Sequence, residues 1–373
     1  MSILPIKDSF YITEPRLAVV TGATGFVGSH LVERLVAAGF RVRCLVRRSS
    51  NLQWLTPLVT QTADEEAKVE IFYAGLDDEN ALRIAFTDAT YIFHIAGVVK
   101  AVSLEAFLAG NATTTEHVLA AAAWVQQQSG GQVLQRVVVM SSLAAVGPSV
   151  LGTPSTEEQP LRPLSDYGRS KLEQEQVVAR YMAVLPITVI RAPAIYGERD
   201  TEVLVFFDLI RNGLLPLVGH GKAVLGFLYV RDLVEGIIAA AQSPKALGET
   251  YHLGSEPEEV SWQQIASAVV EVANEATSTA AQRRRLNLAT VARLFGKEYV
   301  TLYLPKTLIY MVAQVVETLA RWRGQPAMLT QEKANDLTAD SWACSNAKAR
   351  RDFGYTPRTP LREGVAAALR FKQ

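Results

Sequence analysis

Two short groups of residues in this 373-residue chain have the types and spacing to do chemistry. The first is Tyr167-Gly168-Arg169-Ser170-Lys171. On a helix, positions four apart share a face, so the phenol and the ammonium project together. A free tyrosine titrates near pH ~10 and is a poor acid–base at neutral pH. A cation ~4 Å away, at an effective dielectric of ~20, favours the phenolate by roughly 4 kcal/mol before desolvation losses. That is enough to make tyrosine a general acid–base. Upstream, the apolar run Val137-Val138-Val139-Met140 ends in Ser141-Ser142, placing two hydroxyls at the end of a buried strand. The second group is Thr21-Gly22-Ala23-Thr24-Gly25-Phe26-Val27-Gly28. Gly22 suits a tight turn out of a strand, Gly25 lets backbone approach a pyrophosphate, and Gly28 lets the following helix pack closely. The anion would then rest on the free N–H groups at the positive end of that helix.

Both groups need strands and helices to hold them. Strand-like β-branched runs fall at 16–21, 41–46, 69–73, 91–95, 136–140 and 187–191, with helical patterns at 27–38, 79–86, 113–127 and 167–184. Such alternation predicts right-handed βαβ units, and so an α/β fold whose doubly wound parallel sheet carries helices on both faces. After Arg191 the rhythm breaks, and 191–225 and 255–345 read as helices and loops with less strand character. Between them, 227–230 followed by 232–241 reads as one more strand and helix returning to the sheet, with Asp232 as N-cap. The expected division is a dinucleotide-binding domain of residues 14–190 plus 226–254, and a smaller substrate lobe of residues 191–225 plus 255–373.

Composition narrows the function classes. The chain is 49% hydrophobic and 20% charged, which is ordinary globular composition. Lysine plus arginine balances aspartate plus glutamate at 37 each, leaving no electrostatic footprint for nucleic acid. Two cysteines, Cys44 and Cys344, cannot staple such a chain, and the five histidines lack ligand spacing. A reducing, cytoplasmic compartment and no metal are the expectations. No apolar run has the length of a signal peptide or a membrane span.

The glycine loop TGATGFVG resembles the cofactor loop of the extended short-chain dehydrogenase/reductase family. Further motifs extend the resemblance: Ser141-Ser142, Tyr167 with Lys171, His94-Ile95-Ala96-Gly97, Asn111, Arg191-Ala192-Pro193-Ala194-Ile195-Tyr196-Gly197, and Phe227 to Asp232. It covers most of the chain from Arg16 to about Gly254 and implies a Rossmann-type fold with a C-terminal substrate-binding lobe. It implies Ser142, Tyr167 and Lys171 as catalytic residues, with Ser142 orienting the reacting oxygen and Lys171 lowering the tyrosine pKa and holding the ribose. Gly22, Thr24, Gly25, Phe26, Val27, Gly28, Arg47, Leu76, Ala96, Gly97, Tyr167 and Lys171 are the implied cofactor contacts. His94 is read as structural. Two departures stand out: Ala74-Gly75-Leu76 lacks the family's adenine-binding aspartate, and Ala192 replaces the usual proline after the motif arginine.

The second strand ends without an acid. Val46 takes that place, and Arg47-Arg48 follow, suiting a 2′-phosphate and favouring NADP over NAD. Leu143-Ala144 lacks the acids of the family's dehydratases, and Ala194 and Val224-Leu225-Gly226 lack the polar anchors of its sugar-nucleotide enzymes. What remains resembles the 3β-hydroxysteroid dehydrogenase and dihydroflavonol reductase branch, supported by Leu304-Pro305, Gly324-Gln325-Pro326, Leu329-Thr330 and Phe353-Gly354-Tyr355-Thr356-Pro357. That implies hydride transfer between a nicotinamide cofactor and a hydroxyl or carbonyl carbon of a small apolar, sterol- or flavonol-like substrate. A nucleotide-sugar epimerase and a non-catalytic cofactor-sensing or assembly subunit stay open, as does a homodimer. Segment 302–322, interrupted by Lys306, Gln314 and Glu317, carries an apolar helical stripe. It is expected to pack the lobe against itself. The alternative is a lid that, with Arg283-Arg284-Arg285, touches a membrane surface.

Overall fold

The computed structural model describes residues 16–60, 68–131, 134–277, 298–323 and 330–371. Arg283 to Arg285 and the Gly324 to Leu329 part of the tail motif lie outside them. Seven strands form the central sheet: β1 (Leu17–Thr21), β2 (Arg41–Val46), β3 (Val69–Tyr73), β4 (Tyr91–His94), β5 (Arg136–Ser142), β6 (Ile187–Ala192) and β7 (Thr250–His252). Their spatial order is 3-2-1-4-5-6-7 and every pairing is parallel. The order reverses between β1 and β4, so a crevice opens beyond their carboxyl ends, where Thr21 and His94 are in register.

Parallel strands buried on both faces explain the apolar runs of β1 and β5. Helices α1 (Phe26–Ala37), α2 (Glu79–Phe86), α3 (Thr114–Gln128), α4 (Asp166–Tyr181) and α5 (Val230–Gln242) cover them. On one face, Leu31 and Leu35 of α1 and Leu233 and Ile237 of α5 pack with Val20, Cys44 and Val138. On the other, Phe86 of α2, Leu119 of α3 and Val178 of α4 pack with Val19, Ile92 and Val139. Helix α4 starts where Ser165 accepts a hydrogen bond from the Gly168 amide at 3.3 Å, which puts Tyr167 in the first turn. Both cysteines are buried and free, and burial pushes the Cys44 thiol up to about 12.

The later chain departs from expectation in several places. The strand Phe227–Tyr229 does not join the central sheet; it pairs with Ala194–Tyr196, and β7 is the strand that returns beside β6. Asp232 is not the N-cap of α5, a position held by Tyr229. Its carboxylate instead accepts hydrogen bonds from the Arg358 and Thr359 amides, both at 3.1 Å, tying a distant loop to the helix. The segment around Ala349, Phe353 and Tyr355 packs with the sheet's own core and so crosses the expected division at 255–373. A separate apolar cluster gathers Leu204, Phe207, Leu217, Ile265, Val269 and Val365. Strand character there exceeds the sequence reading: Leu214–Val218 pairs with Val300–Leu304, and Val224–Leu225 lies between Val260–Ser261 and Ser341–Trp342.

The stripe on the helix Lys306–Trp322 also differs from its expected packing. Ile309 and Ala313 turn inward against Ala334 and Val218. Leu308, Met311, Val312, Val315 and Leu319 stay exposed, and Trp322 is 83% exposed. No described helix is long and apolar enough to cross a membrane.

The turn from β1 into α1 is tightly packed. A Cβ on Gly28 would stand 2.1 Å from the Gly22 carbonyl oxygen. Gly28→Ala is therefore expected to lower stability by about 1–3 kcal/mol, the usual cost of overpacking, read as a lower denaturant midpoint. An unchanged midpoint would mean that the turn can shift aside without loss.

Candidate active site

The glycine loop forms a cradle by close approach. Gly22 has φ +70°, and a Cβ there would lie 2.7 Å from the Ala96 amide nitrogen on the turn after β4. The Gly25 amide donates to the Gly22 carbonyl at 3.0 Å, closing the turn. Gly25 is also the N-cap of α1 and has no side chain with which to cap it. The first amides of α1, at Phe26, Val27 and Gly28, are thus left for an anion beside the half-buried Thr24. A dinucleotide pyrophosphate fits this cradle, because a Cβ at Gly22 or Gly28 would fill the space that backbone now occupies.

Behind the cradle runs a chain of buried hydrogen bonds. Thr115 donates its hydroxyl proton to the Asn111 carbonyl at 2.7 Å, so it must accept from its other partners. These are Gln174 Nε2 at 2.9 Å and His94 Nε2 at 2.8 Å. His94 therefore carries its proton on Nε2, and its Nδ1 accepts from the Thr21 hydroxyl at 2.8 Å. Burial and the Lys171 charge hold the His94 imidazole down to about 3, so it stays neutral, in line with a structural role. Gln174 Oε1 in turn accepts from Lys171 Nζ at 2.9 Å.

Ser142, Tyr167 and Lys171 come together at the ends of β5 and the start of α4. The two serines separate by strand alternation. Ser141 is buried and donates to Glu175 at 2.5 Å, and Glu175 is held in turn by Arg191 at 2.6 and 2.9 Å. This buried pair clamps α4 onto β6. Ser142 instead faces a cavity that Tyr167 also lines, with its Oγ accepting from the Ala144 amide at 3.1 Å. Lys171 Nζ lies 5.9 Å from the centre of the Tyr167 ring. It donates to the Met140 carbonyl at 3.1 Å as well as to Gln174, which leaves one proton over.

The electrostatics differ from the sequence argument in one respect. Burial raises the Tyr167 phenol above its ordinary range, the nearby Ser142 hydroxyl pulls it back, and the Asp336 charge pushes it further up. Lys171 does not lead here, because burial lowers its own ammonium to about 8 and two of its protons are spent on Met140 and Gln174.

The remaining expected contacts lie around the same crevice. Ala96 donates its amide to Thr21 Oγ1 at 3.3 Å. A Cβ on Gly97 would stand 3.0 Å from Asn111 Oδ1 and 3.2 Å from Lys171 Nζ, so this turn presses on that lysine. The half-buried Leu76 uses its carbonyl to accept from His117 Nδ1 at 3.1 Å. Arg47 is exposed at the end of β2, while Arg48 lies over the Tyr73 ring at 5.7 Å.

Three residues escaped sequence reasoning. Asn111 was visible as a motif residue, but its work was not. It sits in a π-helical turn, Ala109–Thr113, pairs with both backbone groups of Val98 and donates to Ser170 at 2.9 Å. Gln174 lies three residues past Lys171 and so shares its helix face, a signal that could have been read. Asp336 lines the Tyr167 cavity from the helix Gln331–Thr338, and nothing in the sequence joins two positions so far apart.

The cavity has a volume of about 1110 Å³. Its apolar wall includes Phe107, Leu143, Leu225, Trp262, Leu337 and Trp342. Its acids, Glu105, Asp166, Glu202, Glu317, Glu332 and Asp336, outnumber its cations, Lys100 and Lys333, and Glu202 engages both lysines.

Comparison with known proteins agrees with this architecture. Residues 18–254 match the NAD dependent epimerase/dehydratase family. Ceramide reductase of Caulobacter vibrioides is 28% identical over 350 residues, covering 94% of this chain and 89% of that protein. The decarboxylating sterol-4-alpha-carboxylate 3-dehydrogenase of Mus musculus is 23% identical over 366 residues, covering 95% and 90%. The crystal structure of gox2253 superposes with a TM-score of 0.71 at 26% identity, covering 95% of this chain and 97% of that one. With a parallel sheet reversing at β1 and β4 and a glycine cradle there, the chain belongs to the NAD-dependent epimerase/dehydratase family and is an extended short-chain dehydrogenase/reductase enzyme.

Proposed function

We propose that this enzyme catalyses oxidoreduction between a hydroxyl and a carbonyl on a small apolar substrate, with Ser142, Tyr167 and Lys171 as its catalytic residues. One observation carries the reading: Ser142 and Tyr167 face a single large, apolar-walled cavity, while Lys171 lies against the Gly97 turn whose neighbour Ala96 meets Gly22 of the glycine cradle. A nicotinamide dinucleotide in the cradle supplies or accepts the hydride. In the reducing direction Tyr167 gives its phenolic proton to the carbonyl oxygen, and Ser142 orients that oxygen by a hydrogen bond. Lys171 keeps an ammonium proton near the tyrosine, and its links to Met140 and Gln174 hold it in place. The full-length likeness to a ceramide reductase and a sterol dehydrogenase supports an apolar, lipid-like substrate. The acidic lining weighs against a nucleotide-sugar epimerase, since a diphosphate would meet carboxylates and two lysines already engaged by Glu202. The presence of both Tyr167 and Lys171 weighs against a purely non-catalytic subunit. Tyr167→Phe is expected to cut turnover by about 10²–10⁴ while cofactor binding, followed by nicotinamide fluorescence, persists. Near-normal turnover in this variant would remove Tyr167 from the role.

For the cofactor form we propose NADP. Arg47 is exposed where β2 ends, and Val46 stands in the position of an acid that would repel a 2′-phosphate. Arg47→Ala is expected to weaken NADPH about tenfold and to spare NADH, titrated side by side. A ratio of affinities that does not move would show that Arg47 is not the selector.

We propose a lipid surface as the partner of the helix Lys306–Trp322. Its outward apolar stripe ends in the exposed Trp322, with Lys306 and Arg323 at its two ends, while Gln314, Glu317 and Thr318 of the same helix line the cavity. An apolar substrate would pass from lipid to site around one helix. The protein is expected to float with anionic vesicles at low salt, and Leu319→Glu with Trp322→Glu to abolish flotation. A concentration-dependent dimer with no flotation would assign this face to a second copy of the chain.

A further inference from the structure

Asp336 lies on the wall of the Tyr167 cavity contributed by the later part of the chain. Its helix, Gln331–Thr338, is fixed at both ends. Thr330 accepts a hydrogen bond from the Lys333 amide at 3.0 Å, and Trp342 Nε1 donates to the Asp336 carbonyl at 2.8 Å. The neighbouring acids are matched. Glu332 accepts from Arg169 at 3.1 Å and from the Asp166 amide, Glu202 pairs with Lys100 and Lys333, and Glu317 accepts from the Gln331 amide at 3.0 Å. Asp336 differs from all three. Its Oδ1 is buried and has no hydrogen-bond partner among the described residues. A buried carboxylate oxygen without a donor is unfavourable, and a ligand that brings a donor relieves that cost. Burial pushes this carboxyl up to about 6 against the opposing pull of Ser165 and Lys333, and its charge is felt at the Tyr167 phenol.

We propose that Asp336 binds a hydrogen-bond-donating group, a hydroxyl or an N–H, that the substrate carries beside the carbon reacting at Tyr167. The location of that carbon rests on the oxidoreductase reading above. The substrate is then an apolar body with two neighbouring polar groups at one end. The oxygen that reacts lies between Ser142 and Tyr167, and the donor lies on Asp336. The rest of the molecule packs against Leu143, Leu225, Trp262 and Trp342. A carboxylate or phosphate in the donor's place would be repelled by Asp336.

Three ligands of one chain length test this: 2-decanol, decane-1,2-diol and 1-amino-2-decanol. Their binding to the full chain is followed by tryptophan fluorescence, because Trp262 and Trp342 line the cavity. The diol or the amino alcohol is expected to bind about tenfold or more tightly than 2-decanol. The diol and amino alcohol arms separate a hydroxyl donor from an N–H donor. The ligands are expected to bind alike to Asp336→Leu, with 2-decanol reporting that the cavity is intact. Asp336→Asn keeps the shape and an acceptor, so it should keep a preference for the diol and lose one for the ammonium. A preference for the ammonium should also fade as pH drops through about 6, where the carboxylate takes up a proton. No preference in the wild type, or an equal preference in wild type and Asp336→Leu, would overturn the proposal. If the preference holds but neither NAD nor NADP supports oxidation of any of the three, the oxidoreductase reading falls and the Asp336 site stands.

Discussion

The glycine cradle and the lysine beside Tyr167 are joined by one buried run of hydrogen bonds, from Thr21 through His94, Thr115 and Gln174 to Lys171. Each bond in it has one donor and one acceptor in a fixed direction, which leaves one arrangement. Thr115 has a single proton to give and spends it on Asn111, which fixes the histidine tautomer and the direction of each remaining bond. A buried hydrogen-bond network of this kind rigidifies its surroundings. The strand end that begins the glycine turn and the lysine beside the phenol are therefore placed by the same set of contacts. Gly22, pressed against Ala96, and Gly97, pressed against Asn111 and Lys171, show how little room the arrangement leaves.

A second constraint acts from the other side of the crevice. The cavity combines Ser142 and Tyr167, offered by strand and helix ends of the sheet, with walls from segments that follow it. Ion pairs tie the two sets of residues together, as in Arg169 with Glu332 and Lys100 with Glu202. These pairs are partly exposed and contribute little stability each. Their larger effect is to neutralise acids around the cavity mouth, while one oxygen of Asp336, Oδ1, has no hydrogen-bond partner among the described residues. An enclosed acid among aromatic and aliphatic walls selects by charge and by hydrogen-bond donors at once.

Much of this was legible in the residues. The alternation of β-branched and helical runs located six sheet strands to within about two residues, because a parallel sheet under two helical layers must be apolar on both faces. The glycine spacing located the cradle, since each glycine answers a local steric demand of a strand–turn–helix unit. The pairing of Tyr167 with Lys171 follows from the helix period, and the choice of Ser142 over Ser141 came from the family resemblance. These are short-range properties, and a linear sequence carries them.

What the tertiary structure decided is long-range. The strand Phe227–Tyr229 looks like a sheet strand by composition, yet β7 takes the place beside β6, because edge pairing depends on which segment reaches the open strand. Asp232 has the form of a helix cap, but amides more than 100 residues away claim its carboxylate. The stripe on Lys306–Trp322 has a period that predicts a helix and cannot say which side faces protein; only packing turned Ile309 inward and left Met311 and Trp322 outside. The tyrosine environment follows the same rule. Sequence supplied a lysine four residues along, but burial, Ser142 and the remote Asp336 govern the phenol, since electrostatic strength depends on enclosure and distance in space. The sequence by itself thus determined six strands of the sheet, the glycine turn and the pairing of Tyr167 with Lys171, and the folded chain alone decided what surrounds them.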